Sequence, residues 1–299
     1  MRDLEQLDKA HREAVSVVIP AFNEEKGVGD AVRRTRAALK RAKVPHEIWV
    51  VDDGSADATA KAARQAGAQV LSMGENRGYG ASIKAGMREA KYNLIAILDA
   101  DGTYPPEELP TLLEMVRKAD MAVGARTKAG AAIPSLRRFP KWLLGKWANY
   151  LADRKIPDLN SGLRVFKKNI AARYEGLFPN GFSFTTTITL ALECHGYIVK
   201  YHPINYEKRV GSSKIRPFRD TLNFFSLVLR VVMYFKPLKI FIPLSGIIFM
   251  SGLAVGVTTW TQGQPLSGTG LFLFIASLQF ALWIAITGLL ADLLVKRGR

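Results

Sequence analysis

Residues 15–25 read VSVVIPAFNEE, a β-branched run that breaks at a proline and gives way to polar and acidic residues. Such a run predicts a buried strand, Val15 to Ile19, followed by a turn that carries chemistry. Two later stretches repeat the pattern: IWVVDDGSADAT at 48–59 and LIAILDADGTYPPEEL at 94–109 each join an apolar run to carboxylates and small polar residues. Further strands are predicted over Glu47 to Val51, Gln69 to Ser72, Leu94 to Leu98 and Met121 to Gly124. Between the strands, Glu24 to Arg41, Asp57 to Ala66, Gly80 to Ala90 and Pro106 to Lys118 carry apolar residues at helical spacing. This alternation defines βαβ units and an α/β fold with a mostly parallel sheet. In such sheets ligands lie beyond the carboxyl ends of the strands. Asp and Ser after one strand are ordinary caps and turn formers. Three acidic strand ends in one parallel sheet converge on one crevice.

The chain has 299 residues, 48% hydrophobic and 23% charged, which excludes a disordered or low-complexity protein. A net charge of +16 predicts attraction to something anionic: nucleic acid, a phosphorylated substrate or a lipid surface. The single cysteine, Cys194, cannot form an intramolecular disulfide and reads as a core thiol in a reducing compartment.

From Ile240 to Ala291 no Asp, Glu, Lys or Arg occurs, and the polar break from Thr261 to Gly268 divides this run into about 240–260 and 271–295. Each piece is long enough to cross a hydrocarbon core of roughly 30 Å, so the pair reads as a transmembrane hairpin. A buried soluble hairpin is the alternative, although soluble helices that long show a polar stripe. Lys236 and Lys239 precede the first span, and Lys296, Arg297 and Arg299 follow the second. The positive-inside rule then places both ends in the cytosol, at the cytoplasmic (inner) membrane. Met1 to Ala14 is charged throughout and does not read as a signal peptide.

The divisions expected are a cytosolic catalytic domain over 1–213, a juxtamembrane amphipathic helix over 214–238, and the hairpin with its basic tail over 239–299. Ile133 to Leu151 and Pro217 to Phe235 mix cations with aromatic and aliphatic residues. That mixture suits a lipid headgroup layer, and similar mixtures bind RNA. The neighbouring hairpin favours lipid, and no nucleic-acid partner is expected. Small residues in the spans, Gly246, Ser251, Gly252 and Gly256, could pack between subunits of a homo-oligomer or within the hairpin.

The series VVIPAFNEE, VVDDGSADAT and ILDADGTYPPEEL, with DLNSGLRVFKK (158–168), GFSFTTTITLAL (181–192) and YEKRVGSSKIRPFRD (206–220), resembles the family 2 glycosyltransferases of the GT-A fold. The resemblance narrows to the branch that includes dolichol-phosphate mannose synthase and the bacterial polyprenyl-phosphate glucosyltransferases. It covers most of residues 15–235. It implies an inverting enzyme that moves one hexose from a nucleotide sugar, of the UDP-glucose or GDP-mannose type, to a polyprenyl phosphate.

The resemblance makes Asp101 the principal ligand of a Mg²⁺ or Mn²⁺ ion and sets Asp99 against the ribose, the diphosphate or the metal. Two carboxylates at i, i+2 on a strand end suit a hard cation held against a diphosphate. Thr103 stands where some relatives carry Gln. By the same match, Pro20, Phe22, Glu24, Asp52, Asp53, Asp99 and Ala100 bind the nucleotide sugar, with Asp52 reading the base. Phe22 replaces a common Tyr. Asn76 to Gly80 could turn backbone N–H groups toward phosphate or simply open a helix. Arg126, Arg209 and Lys214 are expected at the acceptor phosphate, where arginine grips bidentately. General attraction to anionic lipid is their other reading. Ser161 and Arg164 support the site loop, and Ser183 to Thr187 either faces the sugar or caps a helix.

The Gln-x-x-Arg-Trp run of processive relatives does not occur. A phosphate acceptor is already an anion and needs no strong general base. Two rivals remain: transfer to a lipid hydroxyl, which would need such a base, and a non-catalytic nucleotide-sensing membrane protein.

Overall fold

The computed structural model describes residues 14–128, 146, 149–150, 153–181, 183–207, 229, 233–234, 236–261 and 268–297. Two compact units divide the chain, Met1–Val228 and Leu229–Arg299.

In the first unit the described strands are β1 (Val15–Ala21), β2 (His46–Asp52), β3 (Gln69–Ser72), β4 (Leu94–Ile97), β5 (Met121–Ala125), β6 (Arg164–Lys167) and β7 (Val199–Pro203). The helices are α1 (Val28–Arg41), α2 (Thr59–Gln65), α3 (Tyr79–Glu89), α4 (Leu109–Val116), α5 (Lys168–Ala172) and α6 (Phe184–Cys194). A 3-10 turn at Pro106–Glu108 precedes α4. The strands form one sheet in the order β3-β2-β1-β4-β6-β5-β7, parallel except for β6, which runs antiparallel to β4 and β5. Because β6 is reversed, the segment entering it arrives at the carboxyl edge of the other strands.

Side chains alternate across the sheet. Val15, Val17 and Ile19 of β1 join Val28, Val32 and Leu39 of α1 and Leu109 and Leu112 of α4 in the core on one face. A fully buried aliphatic side chain of this kind contributes about 1.5–3 kcal/mol. On the other face α3 approaches so closely that a Cβ at Gly86 would lie 2.5 Å from Val18 and 3.1 Å from Val51.

All five expected strands form, three of them longer by one or two residues. β6 and β7 were not foreseen. β6 has four residues with a cation at each end, and β7 is a half-exposed edge strand reading VKYHP. Both lack the apolar run that marked the others. The first helix starts at Val28, not Glu24, because residues 24–28 form a turn in which the Gly27 and Val28 N–H groups donate to Glu24 O. The stretch expected as one helix over Pro106 to Lys118 divides into the 3-10 turn and α4.

The second unit holds α7 (Leu238–Thr261) and α8 (Gly268–Arg297). Both are long and apolar enough to cross a membrane, and only 6% and 11% of their most apolar windows are buried. A soluble hairpin would be mostly buried, so that alternative loses its support. Two of the four small residues pack within the hairpin: Gly252 abuts Ser277, and a Cβ at Gly256 would lie 3.2 Å from Phe274, whereas a Cβ at Gly246 would have nothing within 4 Å and the exposed Ser251 donates to Ile248 O of its own helix. The Ser245 hydroxyl donates to Ala281 O at 2.7 Å. Most of Ile133 to Leu151 and of Pro217 to Phe235, the two expected surface helices, lies outside the described residues.

Candidate active site

The ends of β1, β2 and β4 meet at the carboxyl edge, and glycines let them approach. A Cβ at Gly27 would lie 2.6 Å from Ala100 O, so the turn after β1 sits directly on the turn after β4. Pro20 is the penultimate residue of β1 and is buried, with Phe22 half-buried beyond it. The Asn23 and Glu24 N–H groups donate to Ser55 Oγ and Thr59 Oγ1, both at 2.9 Å, tying the first acidic turn to the second.

Asp52 and Asp53 are both buried, yet they do different things. Asp52 Oδ1 accepts the Ser55 N–H at 3.0 Å, which fixes the Asp-Gly-Ser turn. Asp53, expected with it at the base or ribose, accepts from the loop before α3: Oδ1 takes the Arg77 N–H at 2.8 Å and Oδ2 the Gly78 N–H at 2.9 Å. Gly78 has φ +99, a backbone conformation that disfavours any side chain. Of the two readings for Asn76 to Gly80, a helix opening against protein is the one formed. The Ala81 N–H donates to Asn180 O at 3.1 Å, and Gly80 abuts Pro179 O.

At the end of β4 each carboxylate of Asp99-Ala-Asp101 has its own hydroxyl donor. Tyr79 Oη donates to Asp99 Oδ1 at 2.8 Å, and burial, reinforced by the Asp99 charge, pushes the phenol well above its ordinary pKa and keeps it protonated. Thr103 donates to Asp101 Oδ1 from Oγ1 at 2.6 Å and from its backbone N–H at 3.1 Å. Its hydroxyl therefore orients the carboxylate in the place where a longer side chain would reach past it. Ala100, between them, is buried and contributes backbone.

The segment entering β6 closes the edge. Gly162 lies against Asp99 so tightly that a Cβ there would be 2.5 Å from Oδ2, and its N–H donates to Tyr104 Oη at 2.8 Å. Arg164 is fully buried and pins Ser161 to α6, donating to Ser161 O, to Thr185 O at 2.9 Å and to Thr189 Oγ1 at 3.0 Å. The supporting role expected for Ser161 and Arg164 matches these contacts. Thr185, Thr186 and Thr187 are buried within α6.

Arg126, after β5, is bound bidentately to Asp158: Nε to Oδ2 at 2.7 Å and Nη2 to Oδ1 at 2.8 Å. Burial opposes the charge on this guanidinium, but the Asp158 hydrogen bonds outweigh it and hold the pKa above its ordinary value. Its Cζ sits 5.3 Å from the centre of the Tyr206 ring, which meets Tyr104 edge-on at 5.3 Å. The next residue, Glu207, donates its N–H to Thr103 O at 3.0 Å. Its carboxylate lies 3.7 Å from Arg34, which also holds Glu107 through two 3.0 Å hydrogen bonds. The stretch after β7 is thus fastened beside Asp101, two residues before Arg209. Arg209 and Lys214 themselves lie outside the described residues.

Tyr79, Tyr104, Asp158 and Tyr206 were not singled out from sequence. Asp158 and Tyr206 open the quoted runs DLNSG and YEKR, and Tyr79 sits inside the glycine loop, so only their pairing was hidden. Among the described residues no group of three or more His, Cys, Asp or Glu could hold a metal ion. Two carboxylates suit a cation that keeps water and takes its remaining oxygens from a substrate diphosphate, as Mg²⁺ does. The donor set of Asp99 and Asp101 fits such an ion.

This arrangement defines a class: an α/β domain with paired carboxylates at the strand end and a reversed strand closing the crevice beside them. The glycosyl transferase family 2 model matches residues 16–174, slightly more than half of the chain, and the chain belongs to that family. The low-salt glycan biosynthesis hexosyltransferase Agl6 of Haloferax volcanii is 33% identical over 212 residues, 69% of this chain and 51% of that protein. This chain therefore spans about half the length of that relative. The undecaprenyl-phosphate 4-deoxy-4-formamido-L-arabinose transferase of Pseudomonas fluorescens strain SBW25 is 30% identical over 283 residues, 88% of this chain and 79% of that protein. Among solved structures, glucosyl-3-phosphoglycerate synthase from Mycobacterium tuberculosis, in complex with Mn²⁺, UDP and phosphoglyceric acid, superposes with a TM-score of 0.58 at 16% identity, over 77% of this chain and 82% of that one. That likeness is one of fold.

Proposed function

We propose that this protein transfers one hexose from a nucleotide sugar, UDP- or GDP-linked, to a polyprenyl phosphate at the cytoplasmic face of the membrane that α7 and α8 cross. The observation that carries the reading is the placing of the Asp99 and Asp101 carboxylates, after β4, and of Arg126, after β5, at one edge of the sheet. Undecaprenyl phosphate in the name of the Pseudomonas relative supports the acceptor class.

Asp52, at the end of β2, reads the base, with Phe22 offering a ring face and Pro20 and Glu24 shaping that end of the pocket. Asp53 holds the loop from which Tyr79 projects. Asp99 and Asp101 are the residues that would hold Mg²⁺ or Mn²⁺; when bound, such an ion stabilises the negative charge that develops on the departing diphosphate. On the acceptor side Arg126, already paired with Asp158 and set over the Tyr206 ring, would meet the phosphate with its remaining N–H groups, and Arg209 and Lys214 would complete the phosphate site. The acceptor monoester is an anion at neutral pH and attacks the anomeric carbon without a strong base, so the residues contribute mainly alignment. Attack in a single displacement inverts the anomeric centre and turns an α-linked donor into a β-linked lipid.

The test is direct. Asp101→Ala should abolish transfer while the protein stays folded, and near-normal turnover would remove the metal assignment. Arg209→Ala should mainly raise the concentration of lipid phosphate required; an unchanged lipid dependence would take Arg209 out of the acceptor site.

A further inference from the structure

Three successive residues, Arg77, Gly78 and Tyr79, span from the end of β2 to the end of β4, across β1, which lies between those strands in the sheet. The first two hang from Asp53 by their backbone N–H groups, at 2.8 and 2.9 Å, and the third reaches Asp99 with its hydroxyl, at 2.8 Å. The geometry allows little slack. Gly78 is in the left-handed region, and a Cβ on it would lie 2.5 Å from Asn180 O. Against the same Asp99 carboxylate, Gly162 leaves no space for a methyl group, since a Cβ there would be 2.5 Å from Oδ2 and 2.8 Å from Oδ1. The Tyr79 hydrogen bond and the close approach of the Gly162 backbone therefore both bear on the setting of this carboxylate.

We infer that Tyr79 is a positioning residue, which with Gly162 sets the Asp99 carboxylate for a divalent cation and ties that setting to the Asp53 loop at the nucleotide end of the site. The inference rests on the proposed role of Asp99 at the metal and diphosphate. The role inferred for Tyr79 is exerted through its bond to Asp99. A hydrogen bond to a charged acceptor is strong enough for its loss to change affinity at that carboxylate by about tenfold. The Asp53 contacts are to backbone and survive the loss of the Tyr79 hydroxyl.

The experiment compares the full-length protein in detergent with Tyr79→Phe and Gly162→Ala. Retained Mn²⁺ is read by electron paramagnetic resonance, with UDP or GDP present and absent, and nucleotide binding is measured separately in EDTA. The expected result is a roughly tenfold weaker retention of Mn²⁺ in nucleotide-loaded Tyr79→Phe, an unchanged nucleotide affinity in EDTA, and a kcat that falls while the KM for the nucleotide sugar holds. Gly162→Ala, which disturbs the same carboxylate by close contact with Tyr79 intact, should show the same split. Mn²⁺ retention equal to wild type in either folded variant would overturn the inference. Parallel loss of nucleotide affinity in EDTA would also overturn it, because a merely structural role for Tyr79 predicts that outcome. If wild-type protein binds nucleotide but retains no Mn²⁺, the proposed role of Asp99 fails instead.

Discussion

The guanidinium of Arg126 grips the Asp158 carboxylate bidentately, through two hydrogen bonds of 2.7 and 2.8 Å, and the Arg126 backbone N–H reaches the same Oδ2 at 3.1 Å. The side chains are 19% and 4% exposed, so the pair is largely out of water. It joins the end of β5 to the segment entering its neighbour in the sheet, the reversed strand β6.

Removing one partner of a buried pair leaves the other charge uncompensated, which costs about 3–5 kcal/mol, whereas replacing both by apolar residues is often close to neutral. Asp158→Ala is therefore expected to lower the unfolding free energy by about 3 kcal/mol, and Arg126→Met with Asp158→Leu to recover most of it. Transfer to lipid phosphate should stay lost in both. Denaturant unfolding of the single and double variants measures the first effect, and turnover the second. Normal turnover in the double variant would leave the pair a purely structural role.

Thr103 should behave as the orienting partner of Asp101. Thr103→Val removes the 2.6 Å hydroxyl contact and keeps the shape, so a fall in turnover of about tenfold is expected, with partial recovery in Thr103→Ser. Recovery by added Mn²⁺ would identify weakened metal retention as the cause, and wild-type turnover in Thr103→Val would show that the backbone N–H alone orients the carboxylate.

Glu193 gives a dependence of stability on pH whose sign is set by burial. Its side chain is 2% exposed, and desolvation raises its pKa despite the Tyr201 hydroxyl donated to Oε1 at 3.0 Å and Arg154 3.6 Å from Oε2. A carboxyl whose folded pKa lies above its unfolded value favours the folded state while both states hold the proton, and that advantage is lost as pH rises through the unfolded and then the folded pKa. Glu193→Gln keeps an acceptor for Tyr201 and carries no charge. Its stability relative to wild type should increase as pH rises from 4 to 8, measured by thermal or denaturant unfolding at each pH. A constant difference across that range would show that Glu193 stays ionised without penalty.

Much of the site was legible because strand ends in a parallel sheet announce themselves. Pro20, Asp52, Asp99 and Asp101 each follow or close an apolar run, and all were placed from that pattern. What stayed hidden was pairing between distant segments. That Asp53 would hold Arg77 and Gly78, that Tyr79 would reach Asp99, and that Arg126 would lie on Asp158 are facts of three-dimensional closure, which the period of hydrophobic residues does not encode. β6 and β7 were missed for a related reason. Their neighbours in the sheet bury them or leave them at its edge, and their own four- and five-residue stretches, RVFK and VKYHP, lack a marked apolar run. The hairpin was the easiest element to read, since no charge interrupts it from Ile240 to Ala291 and the helices exceed the expected spans by only a few residues.

The most direct measurement is a transfer assay with the purified full-length protein in detergent and a short polyprenyl phosphate. UDP-glucose, UDP-galactose, UDP-GlcNAc and GDP-mannose are offered in turn, with Mn²⁺ or with excess EDTA. The expected result is one glycosylated lipid phosphate, β-linked, formed from one of these donors and lost in EDTA and in Asp101→Ala. A folded protein that binds a nucleotide in the presence of Mn²⁺ yet forms no glycosyl lipid phosphate from any of the four would contradict the proposed transfer.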